Sequence, residues 1–329
     1  MSLLIPTYND YTDAHEGSAQ QEQYYKEWEK LKTKRNDQGR LEFPWDFEVV
    51  QGFFKQSDPN TNDEVFNYAT DHMGRLKPWS EIISRLSEMN RSAPENVEYK
   101  LLFLARHGNG YHNFVVEKYG IEAWSAKYHS MEEVDGIRYA PDPELTELGI
   151  AQAEENHQFW VSELNEGAPI PSKFYVSPLQ RSCKTLQITW KDLKPQDKHP
   201  LVVEKIRETI GLNLCDKRSS KSKINERFGK FGYNTDGITE EEDVYFTYDK
   251  RETMIEQSVR VNEFLQQLFE SDCYTDGKVN KSLAEESTFI STHSHAGTIR
   301  CFLNVIKHRN FTISTGGMIP VVIKGTRRY

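Results

Sequence analysis

The chain has 329 residues, with 28% charged and 37% hydrophobic positions, the balance of a soluble globular protein with a substantial core. Its formal net charge of -9 argues against a general nucleic-acid-binding role, because such proteins present a basic face. No apolar run approaches the ~20 residues that cross a bilayer, so we expect neither nucleic acid nor a membrane as partner.

The cysteines are widely spaced and form no CxxC pair, which favours free thiols in a reducing compartment and makes a zinc site unexpected. They are Cys183, Cys215, Cys273 and Cys301. Residues 1–10 lack the basic and apolar pattern of a signal peptide. These features predict a cytoplasmic location, with the nucleus as an alternative.

The first 98 residues are polar and only weakly periodic. We expect a short charged helix over 20–34 and a strand or packed loop within 44–54. The region is therefore predicted to be an extension that wraps the main domain, residues 99–329, and does not fold separately.

From residue 99 onward, strand-like runs alternate with helical spacing. Strands are predicted at 99–105, 173–176, 201–206, 288–292 and 318–324, and helices over 146–164, 178–193, 254–269 and 296–307. This alternation predicts an α/β fold with three α/β/α layers and a mostly parallel central sheet. Residues 211–252 are charged and aperiodic, which predicts an insertion over the site.

Polar side chains follow four of the predicted strands. Arg106 and His107 come after the first, Arg181 after the second, Glu208 after the third and His295 after the fourth. Ligands of such sheets bind beyond the carboxyl ends of the strands, so these side chains are expected to converge. Two arginines and two histidines in a small volume favour a dianionic phosphoryl group over a neutral ligand.

Each of these side chains has an expected task. Arg106 and Arg181 would hold phosphoryl oxygens, while His107 attacks phosphorus in line and forms a phosphohistidine. His295 would donate to a non-bridging oxygen. Glu208 would protonate the leaving oxygen, since a neighbouring phosphate dianion raises a carboxyl pKa.

Backbone groups complete the predicted site. Gly108 allows the chain to approach a bound anion closely, and the amides that open a helix at Ala296 add partial positive charge. Because arginines and histidines supply the charge, we expect neither a metal nor a cofactor.

Several segments resemble signatures of the histidine phosphatase superfamily, in its phosphoglycerate mutase-like branch. In chain order they are RHGNGYHN at 106–113, DPELTELGIAQA at 142–153, SPLQRS at 177–182 with Thr185, Arg207-Glu208 before Gly211, and THSHAG at 292–297. Residues 311–322 are similar to fungal phosphomutase-like members. The resemblance implies His107 as nucleophile, Arg106, Asn113 and Arg181 on phosphate, Glu208 as proton donor and His295 as second histidine.

Two departures from the family pattern leave alternatives. His293 competes with His295 as second histidine, and we favour His295 because its spacing to Arg300 matches the family. The segment 215–218 differs from the tryptophan-containing element of glycolytic mutases. The basic run 217–223 is either a solvated loop or a contact for a second anionic group.

The sequence therefore predicts a metal-independent phosphatase that acts on a small phosphorylated metabolite. A phosphomutase primed by a bisphosphorylated cofactor is one alternative, and an inactive interaction module of the same fold is another. Tyr111 and His112 either line the pocket or simply pack. The substrate and the oligomeric state stay open.

Overall fold

The computed structural model describes residues 2–275 and 278–329. The α-helices are α1 (Tyr8–His15), α2 (Ser18–Leu31), α3 (Trp79–Ser92), α4 (Tyr111–Tyr119), α5 (Ile121–Ala126), α6 (Glu147–Asn165), α7 (Gln180–Thr189), α8 (Lys221–Phe228), α9 (Met254–Cys273), α10 (Lys281–Glu286) and α11 (Ala296–Val305). Short 3-10 turns lie at Lys55–Ser57, His72–Gly74, Tyr128–Ser130, Glu204–Ile206, Leu214–Asp216 and Gly229–Phe231.

The strands are β1 (Trp45–Val49), β2 (Val97–Arg106), β3 (Glu133–Val134), β4 (Ile137–Arg138), β5 (Lys173–Val176), β6 (Leu201–Val202), β7 (Tyr274–Thr275), β8 (Lys278–Val279), β9 (Phe289–Ser294) and β10 (Met318–Arg327). The main sheet has the order β1-β10-β2-β9-β5-β6. Strands β2, β9, β5 and β6 run parallel, β10 pairs antiparallel with β2, and β1 pairs antiparallel with β10. The predicted α/β fold with a mostly parallel sheet is confirmed.

Helices cover both faces of this sheet. Neighbouring residues of a strand point to opposite faces, and Phe174 and Tyr175 show what lies on each. The Phe174 ring contacts Trp190 just beyond α7, at 5.1 Å between centroids, whereas the Tyr175 ring contacts Phe264 of α9 at 5.2 Å. The strands are therefore buried from both sides, as the apolar run of β2 indicated.

The first 98 residues pack on the same sheet. Strand β1 pairs along β10, and Trp45 in it is fully buried. Helix α2 packs against α9, and α3 packs against β2. The described residues of this region thus supply an edge strand of the sheet as well as helices on its surface.

The predicted strand over 201–206 is wrong beyond Val202. The chain turns instead into a 3-10 turn at Glu204–Ile206. The Arg260 side chain donates to the carbonyls of Lys205 and Arg207, at 3.0 Å each, and so replaces the partners that a longer strand would have supplied.

The insertion is more regular than its composition predicted, because it contains helix α8. The Ser220 hydroxyl accepts a hydrogen bond from Lys223 N at the start of that helix, and Ile224 and Phe228 are buried one turn apart. Cys183, Cys215 and Cys301 are free and buried, as expected of thiols, and the side chain of Cys273 lies outside the described part of the chain.

Candidate active site

The register of the parallel strands brings their carboxyl ends to one point. Arg106 pairs with Ser294 across β2 and β9, and His107 N donates to the Ser294 carbonyl at 3.1 Å. As a result, the rings of His107 and His295 lie 5.0 Å apart between centroids. The expected convergence of these two histidines is confirmed by the geometry.

His107 is held with one ring nitrogen protonated and the other unprotonated. Its Nδ1 lies 2.7 Å from the Gly108 carbonyl, an acceptor, so Nδ1 carries the proton. The Nε2 atom accepts a hydrogen bond from Arg181 Nε at 3.3 Å. Burial, with the charges of Arg181 and Arg106, holds the pKa of His107 well below its ordinary value. The imidazole is therefore neutral at pH 7, with its lone pair on Nε2.

His295 lies beside His107 and is completely buried. Its Nε2 is 2.7 Å from the Ser177 hydroxyl, and its Nδ1 has no hydrogen-bond partner among the described residues. Burial and then Arg181 lower its pKa far below the ordinary value. A proton on Nδ1 is thus left for a ligand that enters the site.

The alternative histidine, His293, lies within β9, away from this cluster. Its ring contacts the Ser291 hydroxyl of its own strand at 3.4 Å, and burial lowers its pKa to about 3. The geometry therefore places His295, and not His293, next to His107.

A third imidazole adjoins the pair. His112, in the first turn of α4, lies with its ring 5.5 Å from that of His107. Its Nδ1 is buried without a partner in the described structure, and burial followed by Arg181 lowers its pKa well below the usual range. Its place inside the RHGNGYHN segment was the only sign of this position in the sequence.

Both predicted phosphate-binding arginines are present, and each is already paired with a carboxylate. Arg106 Nη1 donates to Asp10 at 2.5 Å and to the Ile313 carbonyl at 2.7 Å. Arg181 donates to Asp216 at 2.8 Å and to the Cys215 carbonyl at 3.0 Å. Sequence reasoning missed both carboxylates, since they come from α1 and from the insertion.

Glu208 lies at the edge of the cluster with one oxygen engaged. Its Oε1 accepts from Thr209 N at 2.9 Å, and Gln257 Nε2 lies 3.5 Å away. Burial raises the pKa of Glu208, but the Thr209 amide and the charges of Arg251 and Arg181 outweigh burial and leave the pKa below its ordinary value. Without a bound phosphate, Glu208 is therefore ionised at pH 7.

Two glycines of the signature segments allow the histidine loop to pack against α6. A Cβ on Gly108 would lie 2.4 Å from the Gly149 carbonyl oxygen, and one on Gly149 would lie 2.0 Å from the Asn109 carbonyl oxygen. The Gln152 side chain also accepts from Asn109 N at 2.8 Å. These contacts hold the loop after β2 against the start of α6.

The other predicted positions serve local structure. Asn113 Oδ1 accepts from Gly110 N at 3.0 Å and so caps α4. Ala296 opens α11, where a Cβ on Gly297 would lie 2.5 Å from Glu208 Oε1. Asp142 accepts a hydrogen bond from Gln180 N at the start of α7, at 2.7 Å. Phosphate contact by Asn113 stays a prediction.

The basic run of the insertion is mostly occupied. Arg218 is buried and donates to Glu204 and to the carbonyls of Glu240 and Glu242. Lys217 donates to the Tyr248 hydroxyl at 2.7 Å. These two side chains hold the insertion together and are not free for a substrate anion.

Within the described residues, metal-ligating geometry occurs at His72, Glu163 and Glu166, apart from the predicted site. Arg75 forms ion pairs with both carboxylates, so their charge is already balanced. In the same part of the chain, no helix combines the length and the apolarity that a bilayer span requires.

Sequence comparison settles the family. The model of the histidine phosphatase superfamily (branch 1) matches residues 102–314. The chain belongs to the histidine phosphatase superfamily. It is 33% identical over 84% of its length to a probable phosphoglycerate mutase of Arthroderma benhamiae, of which it covers 84%.

A second fungal relative agrees with this placement. Phosphomutase-like protein 3 of Candida albicans is 33% identical, with 83% of this chain and 78% of that protein covered. The solved phosphoglycerate mutase of Bacillus anthracis is 13% identical, with 69% and 89% covered and a TM-score of 0.42. The resemblance to fungal phosphomutase-like members is confirmed.

Proposed function

We propose that this protein is a phosphatase that hydrolyses a small phosphorylated metabolite through a phosphohistidine on Nε2 of His107. The neutral His107 ring carries the proposal, because its proton is fixed on Nδ1 by the Gly108 carbonyl. Its other nitrogen faces the guanidinium of Arg181, which would hold the phosphoryl group that Nε2 attacks.

In the first step, the bond from Nε2 to phosphorus forms as the bond to the ester oxygen breaks. Arg106, Arg181 and the Nδ1 proton of His295 would share the charge on the non-bridging oxygens. The leaving oxygen takes its proton from Glu208, whose pKa rises when a phosphate dianion lies beside it.

In the second step, a water molecule gives its proton to Glu208 and attacks phosphorus. The bond from phosphorus to Nε2 breaks, and inorganic phosphate leaves with His107 neutral again. Since guanidinium and imidazole groups carry the charge through both steps, we propose that the reaction needs no metal ion.

A phosphomutase is the second candidate, and the names of the fungal relatives favour it. A mutase must protect the phosphohistidine from water and pass its phosphoryl group to a second hydroxyl of the substrate. The element that carries tryptophan in glycolytic mutases is here occupied by Cys215 and Asp216, which bind Arg181. We therefore place hydrolysis first.

A panel of phosphorylated sugars, nucleotides and vitamins, assayed for phosphate release with and without a chelator, tests the proposal. We expect chelator-resistant turnover that His107→Ala abolishes and His199→Ala leaves intact, because the His199 ring contacts the Gly232 carbonyl instead of the cluster. Isomerisation of a phosphorylated substrate without phosphate release would favour the mutase. Equal activity of wild type and His107→Ala would reject both.

A further inference from the structure

Helix α1 places two carboxylates on two arginines at the mouth of the site. Asp10 pairs with Arg106 at 2.5 Å, and Asp13 pairs with Arg300 of α11 at 3.2 Å. Positions three apart in a helix lie on one face, about 5–6 Å apart between Cβ atoms. Thus α1 presents a pair of anionic groups to a pair of guanidiniums.

These two arginines have bonding capacity left. The Nε atoms of Arg106 and Arg300 are buried and have no hydrogen-bond partner within the described residues. A guanidinium usually meets an oxyanion with two parallel donors. Here Asp10 engages Arg106 through Nη1 alone. The carboxylate and the carbonyl of Asp13 likewise engage Arg300 through Nη1 alone. Both arginines could therefore bind an anion with more donors than α1 uses.

The space between α1 and these arginines is nearly filled. The cavity lined by Asp10, Asp13, Arg106 and Arg300 has a volume of about 20 Å³, room for about one water molecule. His107 is 2% exposed and Arg181 1%. A phosphorylated metabolite therefore cannot reach both Arg106 and Arg300 while α1 stays in place.

Helix α1 is held in place chiefly by polar contacts. None of its residues is buried, so little apolar area holds it. Its far end is tied by His15, whose ring lies 2.8 Å from Asp63. Detachment of the helix would break a few polar contacts and leave the sheet intact.

We propose that Arg300 is a second anion-binding residue beside the phosphoryl site, and that α1 occupies both anion positions in the resting protein. A substrate with two anionic groups would displace Asp10 with its phosphoryl group and Asp13 with a carboxylate or second phosphate. This inference rests on the proposed function, because it takes Arg106 as a phosphate ligand. The substrate class is thus a phosphorylated metabolite with a second anionic group nearby.

Phenyl phosphate and 3-carboxyphenyl phosphate, which differ by one carboxylate, test the second position. We expect Arg300→Gln to raise KM for the carboxylated ester about tenfold and to leave KM for phenyl phosphate near wild type, because one charge-assisted contact is lost. Equal effects on both esters would reject Arg300 as an anion site.

The double variant Asp10→Asn/Asp13→Asn tests occupation by α1. We expect its KM for the carboxylated ester to fall about tenfold with kcat maintained, since the binding-competent state is then populated without competition. Glu16→Gln, an exposed charge at the end of the same helix, should change neither. A higher KM or a lower kcat in the double variant would show that Asp10 positions Arg106, and would overturn the proposal.

A readout without turnover separates this inference from the proposed function. Saturating inorganic phosphate should speed hydrogen exchange in the α1 amides of the wild-type protein, because the helix is displaced. Unchanged or slower exchange would contradict occupation by α1 even if the protein is an active phosphatase. Faster exchange in a protein without turnover would reject the phosphatase and keep the anion sites.

Discussion

The strand ends and the added segments build the site in different ways. His107 and His295 are placed by the pairing of β2 with β9, whose register fixes both backbones. The arginines that accompany them are held by Asp10 of α1 and by Asp216 of the insertion, which lie outside the sheet. The sheet sets the position of the reacting atoms, while α1 and the insertion set the charge around them.

We therefore expect the two regions to affect different quantities, the rate of the chemical step and the binding of the anion. A change at a strand end should alter the rate of the chemical step, since the imidazoles are rigid and buried. A change in α1 or in the insertion should alter the affinity of the arginines for an anion. Variants chosen from each region therefore test whether the strand ends control the chemical step and whether α1 and the insertion control anion binding.

The largest effect is expected at the second histidine, tested by His295→Gln against His293→Gln. Loss of the Nδ1 donor should lower kcat/KM about 100- to 1,000-fold, as for other transition-state donors. His293 is equally buried, but it lies within the strand, so its variant should keep kcat/KM close to wild type. Melting temperatures would show whether both proteins are folded. A large loss in His293→Gln with an active His295→Gln would reverse the assignment.

An intermediate effect is expected from Asp216→Asn in the insertion. Asp216 and Arg181 are both almost fully buried, so removal of the carboxylate leaves an under-compensated guanidinium. We expect the free energy of unfolding to drop by about 1–3 kcal/mol, measured by urea denaturation. Asp236→Asn, an exposed change in the same insertion, is the matched control. Equal stability of the two variants would show that the pair is dispensable.

The smallest effect is the share of one ring, His112, in the pH dependence of stability. Burial and nearby arginines lower the pKa of His107, His112 and His295, so these rings bind protons only after unfolding. Stability should therefore fall as pH decreases from 7 toward 5, by up to about 1.4 kcal/mol per pH unit for each ring. His112→Gln should flatten this slope. If His112→Gln left the slope unchanged, His112 could not be a ring that stays neutral in the folded protein and binds a proton on unfolding.

Much of the fold could be read from the sequence because its signals are local. The apolar run of β2 and the spacing in α6 and α9 predicted elements that the structure contains. The strand at 201–206 failed because Arg260, more than fifty residues away, captures the carbonyls there. A side chain from a distant helix leaves no mark on local periodicity.

The candidate site likewise contains residues that the sequence predicted and residues that it did not. His107, Arg181 and His295 follow strands, and the topology of parallel sheets brings strand ends together. Asp10 and Asp216 have no such marker, because an aspartate in an exposed helix or an insertion looks like a solvated charge. The contacts that occupy the arginines could therefore be found only in three dimensions.

We propose that Nε2 of His107 accepts the phosphoryl group. Rapid chemical quenching during turnover of a radiolabelled phosphomonoester is the most direct test of this step. We expect an alkali-stable, acid-labile label on the peptide that contains His107. The label should form before phosphate is released and should be absent from His107→Ala. Turnover of the wild-type protein with no label on that peptide, or with the label on another residue, would contradict the account.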